Sequence, residues 1–228
     1  MAEPVVPDAW LDLLEGLAGE RGAVMVVGGV DTGKTVLSGW LAKQLAGRGP
    51  AALVDSDLGQ SVLGPPGTVG WGMADAGTAE FLFVGEVSPA RRLLGTATAT
   101  WRACERARAA GAAWLVLDTC GYVDGLGAVA LKRAKMDLVR PTDVVLLEDS
   151  PDRLAAVARA IRPAEARVHY LRPAAAVEAR GPARRRQWRE QRFRECLAGA
   201  RVRPISLVGR AVYGGRPWRW AAAWPRLE

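Results

Sequence analysis

The feature that most restricts this chain is the run Ala23-Val24-Met25-Val26-Val27 followed at once by Gly28-Gly29-Val30-Asp31-Thr32-Gly33-Lys34-Thr35. A continuous apolar run of that length reads as a strand buried on both faces, the habit of parallel sheets. The eight residues after it fit the GxxxxGK[ST] pattern at every fixed position, and a helical segment from about 34 to 47 follows. Strand, glycine-rich turn and helix in that order let backbone N–H groups wrap an anion at a helix N-terminus. Lys34 would reach the β and γ phosphates of a nucleoside triphosphate, and the Thr35 hydroxyl would complete the shell of a Mg²⁺ ion. The alternative is a chance glycine-rich turn before a helix; eight matching residues in the correct setting argue against it.

The rest of the chain repeats the alternation. A short amphipathic helix carrying Trp10, Leu11, Leu13, Leu14 and Leu17 precedes the first strand. Strands are expected at Ala51 to Val54, Glu80 to Val84, Ala113 to Leu117, Asp143 to Leu147 and Arg167 to Leu171. Helices are expected at about 89–110, 126–139 and 151–161, the last capped by Ser150 with Pro151 at its first position. The stretch 58–78 reads as a Gly/Pro-rich loop. Strands alternating with helices imply an α/β sandwich with a mainly parallel sheet. No repeat or low-complexity tract interrupts it, so a single domain is expected over 1–228. Its parts are a core at about 22–172, an arginine-rich helix within 174–200 and a short β extension, 201–228, around Tyr213-Gly214-Gly215.

Composition narrows the class further. Half of the 228 residues are hydrophobic, a quarter are charged, and the mean hydropathy is +0.03, as in a soluble globular protein. No apolar run approaches the roughly 18 residues of a membrane span. The start, Met1 to Gly16, carries acids where a secretory leader carries lysine or arginine, so a cytoplasmic protein is expected. The cysteines Cys104, Cys120 and Cys196 show no metal-ligand spacing and read as reduced thiols. The net charge of +7 is unevenly spread: residues 1–179 carry −3, whereas residues 180–228, with 13 Arg and 3 acids, carry +10. Only four basic residues are lysine, so most of the positive charge sits in guanidinium forks suited to phosphate.

Two further strand ends carry chemistry. Leu53-Val54-Asp55-Ser56-Asp57-Leu58-Gly59-Gln60 ends in carboxylates at i and i+2, which point the same way on a strand, toward the sheet edge where ligands of such folds bind. One can hold a Mg²⁺ shell while the other takes a proton from an attacking hydroxyl; a metal-binding Asp with a turn-forming neighbour is the plainer reading. Leu117-Asp118-Thr119-Cys120-Gly121-Tyr122 offers a hydroxyl, a close-approach backbone and a ring, or is an ordinary strand-to-loop turn. Phe81 to Pro89 is another strand leading to a loop on the same rim.

Arg180 to Glu195 is the densest charge in the chain. Pro182 suits a first helical turn, which places Arg185, Arg189 and Arg192 on one stripe at i, i+4 and i+7, with Phe193, Cys196, Leu197 and Ala200 as the apolar back that docks it. Arginines with few acidic neighbours beside a triphosphate are suited to hold charge that develops in phosphoryl transfer. A basic exposed helix is the alternative. Trp188 is the tryptophan best placed to stack on a base. Trp40, Trp101 and Trp114 read as core, Trp218, Trp220 and Trp224 as one face of a terminal strand, and His169 as structural.

Taken together, GGVDTGKT, DSDLGQ with its Pro65-Pro66-Gly67 loop, FVGEVSP, DTCGYVDG and RGPARRRQWREQRFRE resemble the polynucleotide 5′-hydroxyl kinases of mRNA 3′-end formation, tRNA splicing and rRNA processing. The resemblance covers about residues 22–200. It implies a P-loop NTPase three-layer sandwich with an arginine-rich helical lid, and a kinase that uses ATP and Mg²⁺, with other triphosphate donors left open. Its substrate would be single-stranded RNA or DNA with a 5′-OH end; no membrane and no obligate protein partner are implied. By that resemblance Gly28 to Thr35 bind ATP, Asp57 activates the 5′-hydroxyl, and Asp55 assists Mg²⁺. Thr119, Cys120 and Gly121 clasp the triphosphate, and Arg180 and Arg185 contact the transferring phosphoryl group. Gln60, Tyr122, Trp188 and Arg189 are the candidates for holding the polynucleotide. The clasp aromatic, commonly tryptophan in that family, is Tyr122 here, and the chain reads as a minimal kinase core.

Two other classes compete. A switch-type GTPase or ATPase of the metal-chaperone or partitioning kind would share the strand-end carboxylates, but the deviant lysine after the first glycine is Gly29 here. Glu148-Asp149-Ser150 stands where a guanine-reading segment would. A nucleotide-dependent nucleic-acid-binding module without turnover is the third.

Overall fold

The computed structural model describes residues 6–204 and 206, apart from 18, 20, 78, 149, 151, 162–164, 176 and 178–180. The chain divides into two compact units, residues 1–196 and 197–228. The first holds every helix and strand of the described residues. The described part of the second contains a turn closed by Ala200 N–H on the Leu197 carbonyl at 3.0 Å, and residues 201–204 carry no strand. The turn expected at Tyr213 to Gly215 and the strand with Trp218, Trp220 and Trp224 lie outside the described residues, as does Pro151.

Seven strands form one sheet in the order β4-β3-β2-β5-β1-β6-β7. They are β1 (Gly22–Gly28), β2 (Ala51–Ser56), β3 (Thr68–Met73), β4 (Glu80–Phe83), β5 (Trp114–Thr119), β6 (Asp143–Leu147) and β7 (Arg167–Leu171). β1 sits between β5 and β6, parallel to both. Its side chains alternate between two cores, so the unbroken apolar run is explained by helices on both faces. Val24 and Val26 pack with Leu37, Leu41 and Leu45 of α2 (Lys34–Ala46) and with Trp10 and Leu13 of α1 (Asp8–Gly16). Met25 and Val27 face the core shared by α3 (Leu93–Ala109), α4 (Leu126–Val139) and α5 (Ala155–Ile161). Each fully buried leucine of α2 contributes about 1.5–3 kcal/mol of transfer free energy.

The loop expected over 58–78 contains a buried strand. β3 pairs antiparallel with β2, Asp55 opposite Gly70, and with β4, Thr68 opposite Phe83. Glycines at 70 and 72 hid it, because glycine weakens any strand signal. Gly70 is needed for close approach: a Cβ there would stand 2.7 Å from Leu63 Cβ. Two helix starts also differ. Residues 89–91 form a 3-10 turn, and α3 begins only at Leu93. α5 begins at Ala155, four residues after the expected start, following a turn in which Arg153 N–H donates to the Ser150 carbonyl. Trp114 is fully buried and Trp40 half-buried against Trp10, their ring centroids 5.4 Å apart, but Trp101 is 39% exposed and not core.

The last helix of the first unit is α6 (Pro182–Cys196), and none of its residues is buried. The expected apolar back is exposed: Phe193 by 36% and Leu197, just past its end, by 59%. Polar contacts take its place.

Candidate active site

The carboxyl ends of β1, β2 and β5 meet on one rim and wall a cavity of about 780 Å³. The phosphate loop forms its floor. α2 opens at Gly33 in the left-handed region (φ 85°, ψ 11°), with no side chain capping the helix, so its first N–H groups are left for an anion. Asp31 also lies at positive φ, 58°. Glycine is required at 28, where a Cβ would come within 2.7 Å of the Leu147 carbonyl oxygen and of Thr32 Oγ1. Thr32 and Lys34 both turn back on the Gly29 carbonyl, at 3.1 and 2.5 Å. Burial lowers the Lys34 pKa, while Asp118 and Asp57 act to raise it.

The β2 turn separates its two aspartates. Asp55, fully buried on the strand, spends its carboxylate on the turn itself: Oδ1 accepts from Asp57 N–H at 3.0 Å, and Oδ2 from Val62 and Leu63 N–H at 2.5 and 3.3 Å. It does not line the cavity. Its pKa is pushed up to about 6, chiefly by burial. Asp57, past the strand end, does line it. Oδ1 accepts from Gly59 and Gln60 N–H at 2.9 and 3.1 Å, which fixes the carboxylate and leaves Oδ2 without a hydrogen bond among the described residues. The expected side-by-side pair is therefore one turn anchor and one cavity carboxylate, because the strand ends at Ser56, between them.

Asp118 was passed over in the sequence, where it reads as one more residue of a buried strand. It lies in register beside Asp55 of β2 and Val26 of β1, 1% exposed. Neither of its oxygens finds a hydrogen-bond partner of normal geometry. Burial and then the charge of Asp55 push its pKa up to about 7, against Lys34 and the Thr35 hydroxyl, which favour the carboxylate. A buried carboxylate beside the hydroxyl of the loop threonine fits a hard divalent cation that keeps most of its waters. No cluster of three or more His, Cys, Asp or Glu able to hold a metal occurs among the described residues, so such an ion would lean on the phosphates it accompanies.

The β5 turn splits in the same way. Cys120, Gly121 and Tyr122 line the cavity, and Gly121 is pressed so closely on the loop that a Cβ would stand 2.8 Å from Val30 N and Cα. Thr119 faces inward, its hydroxyl donating to the Val26 carbonyl at 2.7 Å. Beneath it lie Lys132 and Lys135, both fully buried, which sequence reasoning also missed. Their signal was present: two of only four lysines in an arginine-rich chain, at i and i+3 among apolar residues.

The lid closes the other side. Arg184, Arg185 and Arg189 line the cavity with Ala174 and Val177. Arg185 Nη1 meets Asp31 Oδ2 at 3.0 Å, tying the helix to the phosphate loop. Arg192 donates to the Val62 carbonyl at 3.2 Å and lies 5.9 Å from the centre of the Trp188 ring. Gln60 lines the cavity; Trp188 is half-buried and does not. Arg180 lies outside the described residues. His169 is structural: its Nε2 is 2.8 Å from Asp143 Oδ1, shared with Arg167.

Residues 28–199, which carry every element of this cavity except Trp10, match the family described as the P-loop of the mRNA cleavage and polyadenylation factor CLP1. The chain belongs to the CLP1 P-loop family. A polyribonucleotide 5′-hydroxyl-kinase of Pyrococcus furiosus is 30% identical over 200 residues, covering 84% of this chain and 55% of the relative. One from Thermococcus kodakarensis is 31% identical over 229 residues, covering 93% and 64%. The polyribonucleotide 5′-hydroxyl-kinase Clp1 of Danio rerio is 32% identical over 203 residues, covering 80% and 45%. The chain thus spans about half to two thirds of the length of these relatives. A solved Clp1p–Pcf11p structure superposes with a TM-score of 0.72 at 15% identity, covering 87% of this chain and 56% of that one, and shares the fold. Membership of the CLP1 P-loop family implies nucleotide binding, and the matched span begins at Gly28, the first residue of the loop.

Proposed function

We propose that the chain is an ATP- and Mg²⁺-dependent polynucleotide 5′-hydroxyl kinase, moving the γ-phosphoryl group onto the 5′-OH end of single-stranded RNA or DNA. The observation that carries this reading is Asp57, a carboxylate held by two backbone N–H groups at the cavity wall with its second oxygen free to accept a proton. A switch hydrolase needs no such group aimed at an acceptor alcohol. The name shared by the relatives from Pyrococcus, Thermococcus and Danio supports the same acceptor.

In this mechanism Gly28 to Thr35 hold the triphosphate through backbone N–H groups and Lys34. Thr35 and Asp118 would hold Mg²⁺, which when bound would supply positive charge against the phosphates. Asp57 takes the proton of the 5′-hydroxyl as its oxygen bonds to the γ-phosphorus and the bond to the β-phosphate bridging oxygen breaks, giving a 5′-phosphate and ADP. Arg185 leaves Asp31 for the phosphoryl oxygens, and Arg180 is its proposed companion. Gln60, Tyr122 and Arg189 guide the acceptor strand, with Trp188 behind them. Three free thiols, two of them buried, suit the reducing cytoplasm, which we propose as the place of action.

Radiolabelled γ-phosphate supplied as ATP, with 5′-OH RNA and DNA oligonucleotides of one sequence, tests the reading. Labelled 5′ ends are expected, with kcat reduced about 10²–10⁴-fold in Asp57→Asn. Triphosphate hydrolysis without labelled ends would sink the kinase assignment, and full activity in Asp57→Asn would sink the base.

A further inference from the structure

Lys132 of α4 has no exposed surface, and a charged side chain taken wholly out of water costs several kcal/mol unless its donors are satisfied. Its Nζ donates to Thr119 Oγ1 at 2.9 Å, to the Cys120 carbonyl at 2.7 Å and to Cys120 Sγ at 3.6 Å. A lysine has three protons to give, and all three go to one turn. Thr119 passes the connection on, donating to the Val26 carbonyl of β1 at 2.7 Å. The next residue, Gly121, already touches the phosphate-loop backbone at Val30 so tightly that no Cβ fits. A shift of the turn by a few tenths of an ångström would therefore press on the loop or draw away from it.

We propose that Lys132 is a positioning residue of the nucleotide site: from beneath, it sets the place of the Thr119–Gly121 turn against the phosphate loop. It does not line the cavity itself. An apolar side chain of similar length would fill the same space without the cost of burying a charge, but would leave the turn held only by its own backbone. Lys135, one helical turn along and equally buried, makes a different contact, donating to Ser56 Oγ of β2 at 2.6 Å. It is a built-in control for the loss of a buried amino group from the same helix face. The inference rests on the reading of this cavity as a nucleotide site, so its readout is nucleotide affinity and not turnover.

The full chain and its Lys132→Met and Lys135→Met variants are compared for ATP dissociation constant by calorimetry and for thermal midpoint. Lys132→Met is expected to weaken ATP about tenfold or more, the range for losing hydrogen bonds to a charged group, and Lys135→Met by no more than about threefold. Comparable losses of thermal stability are expected in the two. Hydrogen exchange of the peptide spanning 119–122 should quicken in Lys132→Met and not in Lys135→Met. If Lys132→Met does not fold, Lys132→Gln carries the test with the same split expected. Equal ATP affinities in the two variants, or losses that track the thermal midpoints, overturn the proposal. An unaltered chain without affinity for ATP overturns the nucleotide reading and this inference together; ATP binding without labelled 5′ ends overturns the acceptor assignment alone.

Discussion

The two walls of the cavity are built on opposite principles. The rim made by β1, β2 and β5 is set by groups that have left water: Lys34 at 6% exposure, with Asp55, Thr119 and Lys132 at zero, each satisfied by backbone or hydroxyl partners. The α6 wall has no buried residue and is held by exchangeable guanidinium contacts, Arg185 to Asp31 and Arg192 to the Val62 carbonyl. A preorganised rim costs nothing to rearrange when charge develops, whereas a lid must change partners to reach the phosphoryl group. The contrast implies that, Asp57 apart, disturbing a rim contact with the phosphate loop lowers affinity as well as stability, while lid changes move rate alone.

Asp57 apart, the largest expected effect is on the lid. Arg185→Ala lowers kcat about 100-fold, the order found for losing one donor to a developing charge, while the thermal midpoint falls by no more than a few degrees, because the side chain is about a quarter exposed and belongs to a helix with no buried residue. Steady-state kinetics beside calorimetry checks this; a fall in stability matching the fall in rate would break the distinction between the walls. Next comes the rim. Gly121→Ala places a methyl 2.8 Å from the Val30 backbone, an overpacking of about 1–3 kcal/mol. ATP affinity should drop about tenfold, with a thermal midpoint lowered by a few degrees.

The smallest effect is on pH dependence. Asp118 is held up to about 7 and Asp55 to about 6 by burial, whereas both titrate near 4 in an unfolded chain. Between those limits the folded state binds more protons than the unfolded one, so these groups make stability fall as pH rises from about 4 to about 7. Without nucleotide and Mg²⁺, the thermal midpoint should be higher at about pH 5.5 than at about pH 8, and Mg-ATP should narrow the gap by binding the ionised Asp118. A midpoint that climbs with pH over that range would show that the rim is wetter than its burial implies.

Much of this site was legible in one dimension. The loop from Gly28 to Thr35 is contiguous, and its geometry follows from glycine positions and a buried strand, so the pattern carried the local fold and pointed to a phosphate ligand. Asp57, Cys120 and Gly121 were found because strand ends of parallel sheets converge on one rim. What failed did so for identifiable reasons. β3 was hidden by the glycines that let it lie against Leu63. The apolar back of α6 was expected from helical spacing, but spacing says which residues share a face and not whether anything covers it. Asp55 and Asp57 were read as an alternating pair on one strand, although the strand stops at Ser56 and hands the first carboxylate to the turn.

The sequence alone therefore determined the sheet's parallel core, the phosphate loop and the order of the turns around it, since each leaves a local pattern of apolar runs, glycines and turn residues. Only the tertiary structure decided which carboxylate lies beside the loop threonine and which lysine supports which turn. Asp118 is singled out by its burial between Asp55 and the loop threonine, and Lys132 by sending every proton to one strand end. Those are properties of burial and distance between segments far apart in the chain, and the order of residues along a strand or helix does not record them.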